Sequence, residues 1–325
     1  MAQTFTDLPL ELLREYRPAL TAPDDLDAFW DETLAEARAA ARPLRLAEVA
    51  SPVRALRVQD LTFTGFGGDE IRGWVVRPHG DEELPAVVEF IGYGGGRGLP
   101  GEKTAWATAG YVHAIMDTRG QGSTWSVGDT PDPHGSAAAF PGVMTRGILD
   151  PRDYYYRRLY TDAVRLVDEV SRMEGVDASR IAVTGGSQGG GLSIAAAALS
   201  GEAVAALLPD VPFLADFPSA IVRTPLAPFT EITRFLSVHR DAEDAVLRTL
   251  SYVDGAILAR RITAPALFSV ALMDDVVLPS GVFASFHALA STDTAIEVYR
   301  YNGHEGGGYR HFMKQVAWLD ARFGR

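Results

Sequence analysis

Residues 180–199 read RIAVTGGSQGGGLSIAAAAL, and this stretch decides the fold. Residues 180–184 are short, apolar and partly β-branched, which predicts a buried strand. The alanine-rich run at 190–199 predicts a helix packed on a sheet. Between them lies a Gly-x-Ser-x-Gly turn centred on Ser187, and glycines flank the serine because Cβ atoms would collide where strand and helix approach each other. The pattern predicts a strand, a tight turn that presents a serine, and a helix.

A serine on such a turn is typical of the nucleophile elbow of α/β-hydrolases. A glycine-rich turn that contains a serine by chance is the alternative, and the strand before it and the helix after it disfavour that interpretation. Strand and helix patterns alternate from about residue 56 to the end of the chain. We therefore expect an α/β-hydrolase fold, with a mostly parallel central sheet flanked by helices.

The elbow needs a base, which in this fold comes after the serine and after the acid in the chain. Three histidines follow Ser187 near the end of the sequence, namely His287, His304 and His311. His287 and His311 fall within predicted helices. His304 follows an alternating strand pattern at 295–301 and precedes a glutamate and three glycines, a loop suited to placing a side chain. His304 is therefore the predicted general base.

Two neighbouring aspartates compete for the role of the acid. Residues 266–272 predict a buried parallel strand, and Asp274 and Asp275 follow at its carboxyl end, where such sheets place their sites. A carboxylate there would fix the tautomer of the imidazole and stabilise the imidazolium. The pattern alone does not separate the two aspartates.

Four motifs together identify a family more specifically than the elbow alone. They read FIGYGG at 90–95, RGQG at 119–122, GGSQGG at 185–190 and HEGGG at 304–308. With these motifs, essentially the whole chain resembles carbohydrate esterase family 7, the acetyl xylan esterase and cephalosporin C deacetylase family. The chain departs from the family at residues 276–281, which read VVLPSG where the family usually has a cysteine or threonine followed by Pro-Pro-Ser-Thr.

The resemblance assigns the remaining site residues. It implies that Asp274 is the acid of the triad, because this residue follows the Leu-Met pair that precedes the family's aspartate. It also implies that the backbone N–H of Tyr93 is one oxyanion donor and that its ring walls the acyl pocket. The second donor is the residue after the nucleophile, Gln188. No cofactor is expected.

The resemblance further implies a serine esterase that hydrolyses O-acetyl esters of small carbohydrates, such as acetylated xylooligosaccharides, with cephalosporin C as a further substrate. It implies a homohexamer, a trimer of dimers. The alternatives are a broad-specificity short-chain carboxylesterase or a peptidase of the same fold, and a catalytically inactive binding protein. The inactive form is disfavoured because all three triad residue types are present in the correct order.

Composition limits the other classes of function. The chain has 325 residues, is 47% apolar and carries a formal net charge of −12, so it has no attraction for a nucleic-acid backbone. It has no cysteine, which excludes disulfides and thiolate metal sites. The amino terminus lacks a basic start and an apolar core, and the most apolar stretch, 192–208, is interrupted and too short to cross a bilayer. These features predict a cytoplasmic protein with a neutral substrate and no membrane contact.

Two glycine-rich segments invite other interpretations that their spacing disfavours. Residues 92–98 lack the third glycine of a dinucleotide fingerprint, and Glu102 stands where a phosphate-binding loop needs lysine. His304 is followed by histidine only after seven residues and three glycines, so the helical geometry of a zinc site is unavailable and no metal is expected. The resemblance favours a structural role for Arg119, which would pin the loop of the site through a fork of hydrogen bonds, whereas the residue alone would be read as an ordinary surface arginine.

The remaining patterns organise the chain as a single domain, 1–325, in which 1–50 form a helical amino-terminal extension and 212–260 a cap insertion over the site. The region 122–153 is rich in proline and glycine, and the resemblance assigns it to subunit contacts and the rim of the site. The other predicted elements are a hairpin of strands 56–66 and 71–77, strands 85–91 and 111–116, and helices 103–109 and 154–173.

Overall fold

The computed structural model describes residues 6–325, and these form one sheet with helices on both faces. Among the described residues the sheet has nine strands: β1 (Arg45–Glu48), β2 (Leu56–Thr64), β3 (Glu70–Pro78), β4 (Leu84–Phe90), β5 (Val112–Met116), β6 (Val176–Gly186), β7 (Ala206–Asp210), β8 (Ala266–Ala271) and β9 (Thr294–Tyr299).

The strands lie in the order β1-β2-β3-β5-β4-β6-β7-β8-β9. Strands β1, β2 and β3 pair antiparallel, and β3 also pairs antiparallel with β5. All the remaining neighbours in this order, from β5 and β4 to β8 and β9, are parallel. The central parallel strands are buried on both faces, which explains why they read as apolar runs rather than as alternating patterns. The predicted, mostly parallel central sheet is confirmed.

Eleven α-helices complete the described part of the chain: α1 (Leu10–Leu13), α2 (Leu26–Ala39), α3 (Ala105–Thr108), α4 (Tyr155–Val170), α5 (Gln188–Ser200), α6 (Phe217–Arg223), α7 (Phe229–Val238), α8 (Glu243–Ser251), α9 (Gly255–Leu258), α10 (Pro279–Ala288) and α11 (Gly308–Phe323). Successive side chains of each central strand point to opposite faces of the sheet and pack against the helices of opposite layers. Val88 packs in the core cluster shared with α4 and α5, and Val87 packs in the cluster shared with α3 and α11.

Most predicted elements are present, and the differences have local causes. The hairpin of β2 and β3 turns through 66–68 as expected. The predicted helix at 103–109 is a single turn, α3, which begins only at Ala105 and is followed by Gly110 with a φ of +90°. Two strands escaped prediction: β1 lies in the extension expected to be helical, and β7 lies at the end of a long apolar run that shows no alternation.

The insertion at 212–260 separates β7 from β8 and consists of α6 to α9. Residues 122–153 contain no helix or strand, in agreement with their proline and glycine content. No helix in the described range 6–325 is long and apolar enough to span a bilayer.

Candidate active site

Ser187 stands at the junction between β6 and α5 with a φ of +57°, a backbone region that residues with a side chain rarely adopt. Its N–H donates to the carbonyl of Asp210 at 2.9 Å, and its own carbonyl accepts from the N–H of Phe213 at 2.9 Å. A Cβ on Gly189 would lie 2.1 Å from the carbonyl oxygen of Phe90, so only glycine fits there. The predicted strand, tight turn and helix are confirmed.

Asp274 and His304 face each other where β8 and β9 end. Oδ2 of Asp274 accepts a hydrogen bond from Nδ1 of His304 at 2.8 Å, while its Oδ1 accepts from the backbone N–H groups of Val276 and Val277, both at 2.9 Å. Asp274 is fully buried and Asp275 is exposed. The structure thus places Asp274, and not Asp275, against the imidazole. The two valines begin the segment that departs from the family pattern, and their backbone still orients the carboxylate.

The loop that carries His304 is stiffened from within. Oε1 of Glu305 accepts from the side chain of Asn302 at 2.6 Å, and Oε2 accepts from a backbone N–H at 3.0 Å. The bond from Asn302 lowers the pKa of Glu305. Gly307 has a φ of +91°, and a Cβ there would overlap the ring of Tyr299 at 2.3 Å. The glutamate and the glycines after the histidine therefore serve the shape of the loop.

Two backbone donors point to an oxyanion hole beside Ser187. Among the described residues, the N–H groups of Tyr93 and Gln188 donate to no protein acceptor. Gln188 begins α5, where the unpaired N–H groups and the helix dipole favour negative charge. Gln121 holds the two loops together, since its Oε1 accepts from the N–H of Gly94 at 2.6 Å and its Nε2 donates to Oε1 of Gln188 at 3.0 Å.

The ring of Tyr93 is anchored to the insertion. Its hydroxyl donates to Oε1 of Glu231, on α7, at 2.6 Å and accepts from the N–H of Val143 at 2.8 Å. Oε2 of Glu231 accepts from the N–H of Met144 at 3.1 Å. Burial raises the pKa of Glu231 and also that of the Tyr93 hydroxyl. The insertion and the irregular segment 122–153 therefore meet at the residue expected to form half of the oxyanion hole.

Arg119 is fully buried and holds the loop after β5 in place. Its Nε and Nη2 donate to the two carboxylate oxygens of Asp162, on α4, at 2.5 and 2.9 Å. Its Nη1 donates to Asp69 at 2.9 Å and to Asp132 at 3.2 Å. The predicted structural role of Arg119 is confirmed, since a bidentate pair with two further carboxylates is a rigid anchor.

A cavity of about 650 Å³ opens at this end of the sheet. Ser187, Tyr93 and His304 line it, together with Trp125 from the irregular segment and Pro228 from the insertion. Asp274 and the side chain of Gln188 lie behind the lining, both fully buried. The structure therefore brings together the five residues predicted for the site, with three on the surface of the cavity and two supporting them.

The lining of the cavity also includes a half-buried ion pair. Lys103 Nζ lies 2.6 Å from Oε1 of Glu89, and Nε2 of His113 lies 2.8 Å from Oε2. Burial by itself would raise the pKa of Glu89, but Lys103 and His113 outweigh it and lower this pKa to about 2. Beyond this pair, a larger cavity of about 760 Å³ lies between α3 and α11 and contains none of the predicted site residues.

Sequence reasoning missed three side chains at the site. Gln121 stands in the Arg-Gly-Gln motif, which offered a signal. Asp210 ends the strand that was not predicted, and Glu231 lies on a helix of the insertion with no local pattern to mark it. The other two candidate histidines do not line the cavity: Nδ1 of His287 lies 2.9 Å from a backbone carbonyl, and His311 is buried on α11, with Nε2 3.1 Å from Oδ1 of Asp210.

The arrangement can carry out acyl transfer. A serine on a strained turn, a histidine oriented by a buried carboxylate and two free N–H groups, one in the loop after β4 and one at the start of α5, are the parts that a tetrahedral oxyanion mechanism requires.

Comparisons with known proteins agree with this geometry. The model of the acetyl xylan esterase family (AXE1) matches residues 3–322. The solved acetyl xylan esterase from Paenibacillus sp. R4 is 38% identical with a TM-score of 0.90, over 97% of this chain and 99% of that one. Acetyl xylan esterase 1 from Thermoanaerobacterium sp. JW/SL YS485 is 33% identical with a TM-score of 0.88, over 96% and 99%. Acetyl esterase Axe7A of Xylanibacter ruminicola is 25% identical over 324 residues, which are 95% of this chain and 69% of that protein.

Proposed function

This chain belongs to the acetyl xylan esterase family and is a carboxylic ester hydrolase of the α/β-hydrolase fold, and we propose that it releases acetate from O-acetyl esters of small carbohydrates such as acetylated xylooligosaccharides. One observation carries the proposal. The imidazole of His304, oriented at 2.8 Å by a fully buried Asp274, opens onto the same cavity as the strained Ser187.

The proposed reaction is a double displacement at Ser187. Its Oγ attacks the acetyl carbonyl while Nε2 of His304 takes the proton, and Asp274 stabilises the imidazolium. The N–H groups of Tyr93 and Gln188 bind the developing oxyanion, a contribution of roughly 3–4 kcal/mol per donor in comparable enzymes. His304 then protonates the departing sugar oxygen. Water, activated by His304, releases acetate from Ser187 by the same steps.

The lining of the cavity supports a small acyl group and a neutral alcohol. Tyr93 is held by two hydrogen bonds, so its ring cannot swing away to admit a long acyl chain. Lys103 is already paired with Glu89, whereas Glu305 and Asp210 add negative charge to the lining. We therefore place cephalosporin C, which carries carboxylates of its own, second to neutral acetylated sugars.

We also propose a homo-oligomeric assembly, with the hexamer that the family resemblance suggests. The irregular segment 122–153 supports this proposal, because it exposes four large apolar side chains, of which the first lines the cavity: Trp125, Val127, Phe140 and Leu149. Exposed apolar side chains that form one contiguous patch mark a protein contact. The cytoplasmic location stays a prediction.

A substrate profile tests the function. We expect acetylated xylooligosaccharides and glucose pentaacetate to be better substrates than cephalosporin C, and peptides not to be cleaved. Comparable rates on acetyl and octanoyl p-nitrophenyl esters would instead favour a broad carboxylesterase, and peptide cleavage would favour a peptidase.

A labelling experiment separates the enzyme from an inactive binding protein. An organophosphonate should add one group to the native protein, with loss of esterase activity, and none to a Ser187→Ala variant of unchanged melting temperature. A native protein that does not react would contradict the assignment of Ser187.

A further inference from the structure

Asp210 is fixed directly beside the nucleophile. It is the last residue of β7, pairs in register with Gly186 of β6, and its carbonyl accepts the N–H of Ser187 at 2.9 Å. Its side chain lines the cavity that contains Ser187 and His304, and about one third of that side chain is exposed, 31%. The position of this carboxylate relative to the serine is therefore set by the sheet itself.

The two oxygens of this carboxylate have different surroundings. Oδ1 accepts from Nε2 of Gln315 at 2.8 Å and from Oγ of Ser269 at 3.4 Å, and Nε2 of His311 lies 3.1 Å away. Gln315 and His311 lie on α11 and are almost fully buried, 2% and 1% exposed. Oδ2, by contrast, accepts no hydrogen bond from any residue in the range 6–325. Gln315 and Ser269 thus orient the carboxylate through Oδ1 and leave Oδ2 as an acceptor for the cavity.

We propose that Oδ2 of Asp210 accepts a hydrogen bond from a free hydroxyl group of the alcohol portion of the ester, so that the enzyme selects acetates whose alcohol still carries a neighbouring hydroxyl. The inference rests on the proposed esterase function and adds a determinant of specificity to it. A charged acceptor in a partly buried site discriminates strongly against an analogue that lacks the donor, because the acceptor is then left unpaired.

The other interpretation is that Asp210 only holds α11 against the sheet. The two interpretations predict a different dependence on substrate for the activity that is lost when Asp210 is replaced. A structural tie affects every ester equally, whereas a contact to a hydroxyl affects only the esters that carry one.

The test compares two enzymes on three esters. The enzymes are the native protein and Asp210→Asn, in which the donors around Oδ1 favour the amide oxygen on their side and turn the NH2 group toward the cavity. The esters are a methyl xyloside monoacetate with its other hydroxyls free, the same monoacetate with those positions deoxygenated, and p-nitrophenyl acetate. We expect kcat/KM on the hydroxyl-bearing ester to fall about ten- to a hundredfold in the variant, the range of a hydrogen bond to a charged group. On the other two esters it should change by less than about threefold, because no bond to Oδ2 is lost there.

Asp320→Asn is the matched control. Asp320 also lies on α11, where it accepts the hydroxyl of Tyr111 at 2.6 Å, outside the catalytic cavity. Replacing Asp320 by asparagine should leave the ratio of kcat/KM between the hydroxyl-bearing ester and the other two unchanged. Equal losses of Asp210→Asn on all three esters, or no loss on any, would overturn the proposal.

A comparison within the native enzyme covers the case in which Asp210→Asn does not fold. The native protein should prefer the hydroxyl-bearing xyloside to its deoxygenated analogue by about tenfold or more, and a ratio near one would overturn the proposal. If the native enzyme hydrolyses p-nitrophenyl acetate but neither xyloside, the carbohydrate function is refuted. The role of Asp210 is then tested with glycerol monoacetate, which carries free hydroxyls, and propyl acetate, which carries none. Asp210→Asn should still lower kcat/KM on glycerol monoacetate only.

Discussion

Replacing Asp274 by asparagine should abolish most of the catalysis without unfolding the protein. Oδ1 of Asp274 accepts two backbone N–H groups, those of Val276 and Val277, at 2.9 Å each. These groups can only donate, so the amide oxygen of the asparagine must take that place and its NH2 group must face Nδ1 of His304. Nδ1 then has to accept, which moves the ring proton to Nε2, the atom that should receive the proton of Ser187.

The magnitude follows from this wrong tautomer. The corresponding aspartate-to-asparagine change in a serine protease lowers kcat by about 10⁴-fold, which equals about 5.4 kcal/mol at 1.36 kcal/mol per factor of ten. We expect a similar loss here, because the pair at 2.8 Å is fully buried on the carboxylate side and no water can replace the missing acceptor.

The assay is the turnover of p-nitrophenyl acetate, with Asp275→Asn as the matched control. Asp275 is exposed and adjacent in the chain, so its replacement should keep turnover within about tenfold. Both variants should keep the native melting temperature, so that lost activity is not confused with lost fold. If Asp275→Asn is the crippled variant, the assignment of the acid is wrong. If Asp274→Asn retains more than about a tenth of the native turnover, the tautomer argument fails.

Four further predictions follow from the same contacts. Because the ring of Tyr93 is fixed, kcat/KM should fall about tenfold or more from acetyl to butyryl p-nitrophenyl esters, and equal rates on acetyl and octanoyl esters would contradict a small acyl pocket. Light scattering at micromolar concentration should report several times the 35.0 kDa of one chain, and a clean monomer would refute the assembly. Tyr93→Phe leaves Oε1 of the buried Glu231 without its donor, so urea unfolding should show a loss of about 1–3 kcal/mol in the free energy of unfolding, and unchanged stability would mean that this oxygen has found another partner. Burial raises the pKa of Asp216 to about 6, so the native state binds this proton more tightly than the unfolded state and loses stability as pH rises from about 4 through 6. Asp216→Asn resembles the protonated form, and its stability relative to the native protein should therefore increase over that window, whereas a difference independent of pH would refute the shift.

The parts of the fold that sequence reasoning located are those with a strong local cause. The elbow around Ser187 was predictable because one of its glycines is required by a contact within the turn itself: a Cβ on Gly185 would lie 2.5 Å from the carbonyl carbon of Gly189. The buried strands β4 and β8 were predictable because both of their faces are covered, which makes them continuous apolar runs. Strand β7 is equally buried, but it follows the apolar helix α5 without a break in pattern, so hydrophobicity alone could not mark where the helix ends.

The features of the candidate site also fall into those that a local motif predicts and those that only the tertiary structure explains. The sequence by itself determined the residue types of the triad, their order, and the choice of His304, because each depends on a motif of a few residues. The strand pattern left Asp274 and Asp275 equivalent, since adjacent residues after a strand differ only in the direction of their side chains, and only the family resemblance favoured Asp274. The tertiary structure supplies the physical distinction, because the backbone N–H groups of 276 and 277 and the imidazole of His304 converge on one carboxylate and leave the other in solvent.

The long-range contacts were decided by tertiary structure alone. Glu231 reaches Tyr93 across 138 positions of sequence, and Gln315 reaches Asp210 across 105. Neither side chain carries a local signal, since a polar residue on a helix face looks the same whether it meets solvent or a buried partner. A motif records interactions between neighbours in the chain. The anchoring of the oxyanion loop and the orientation of a second carboxylate beside Ser187 depend on elements that meet only when the sheet assembles.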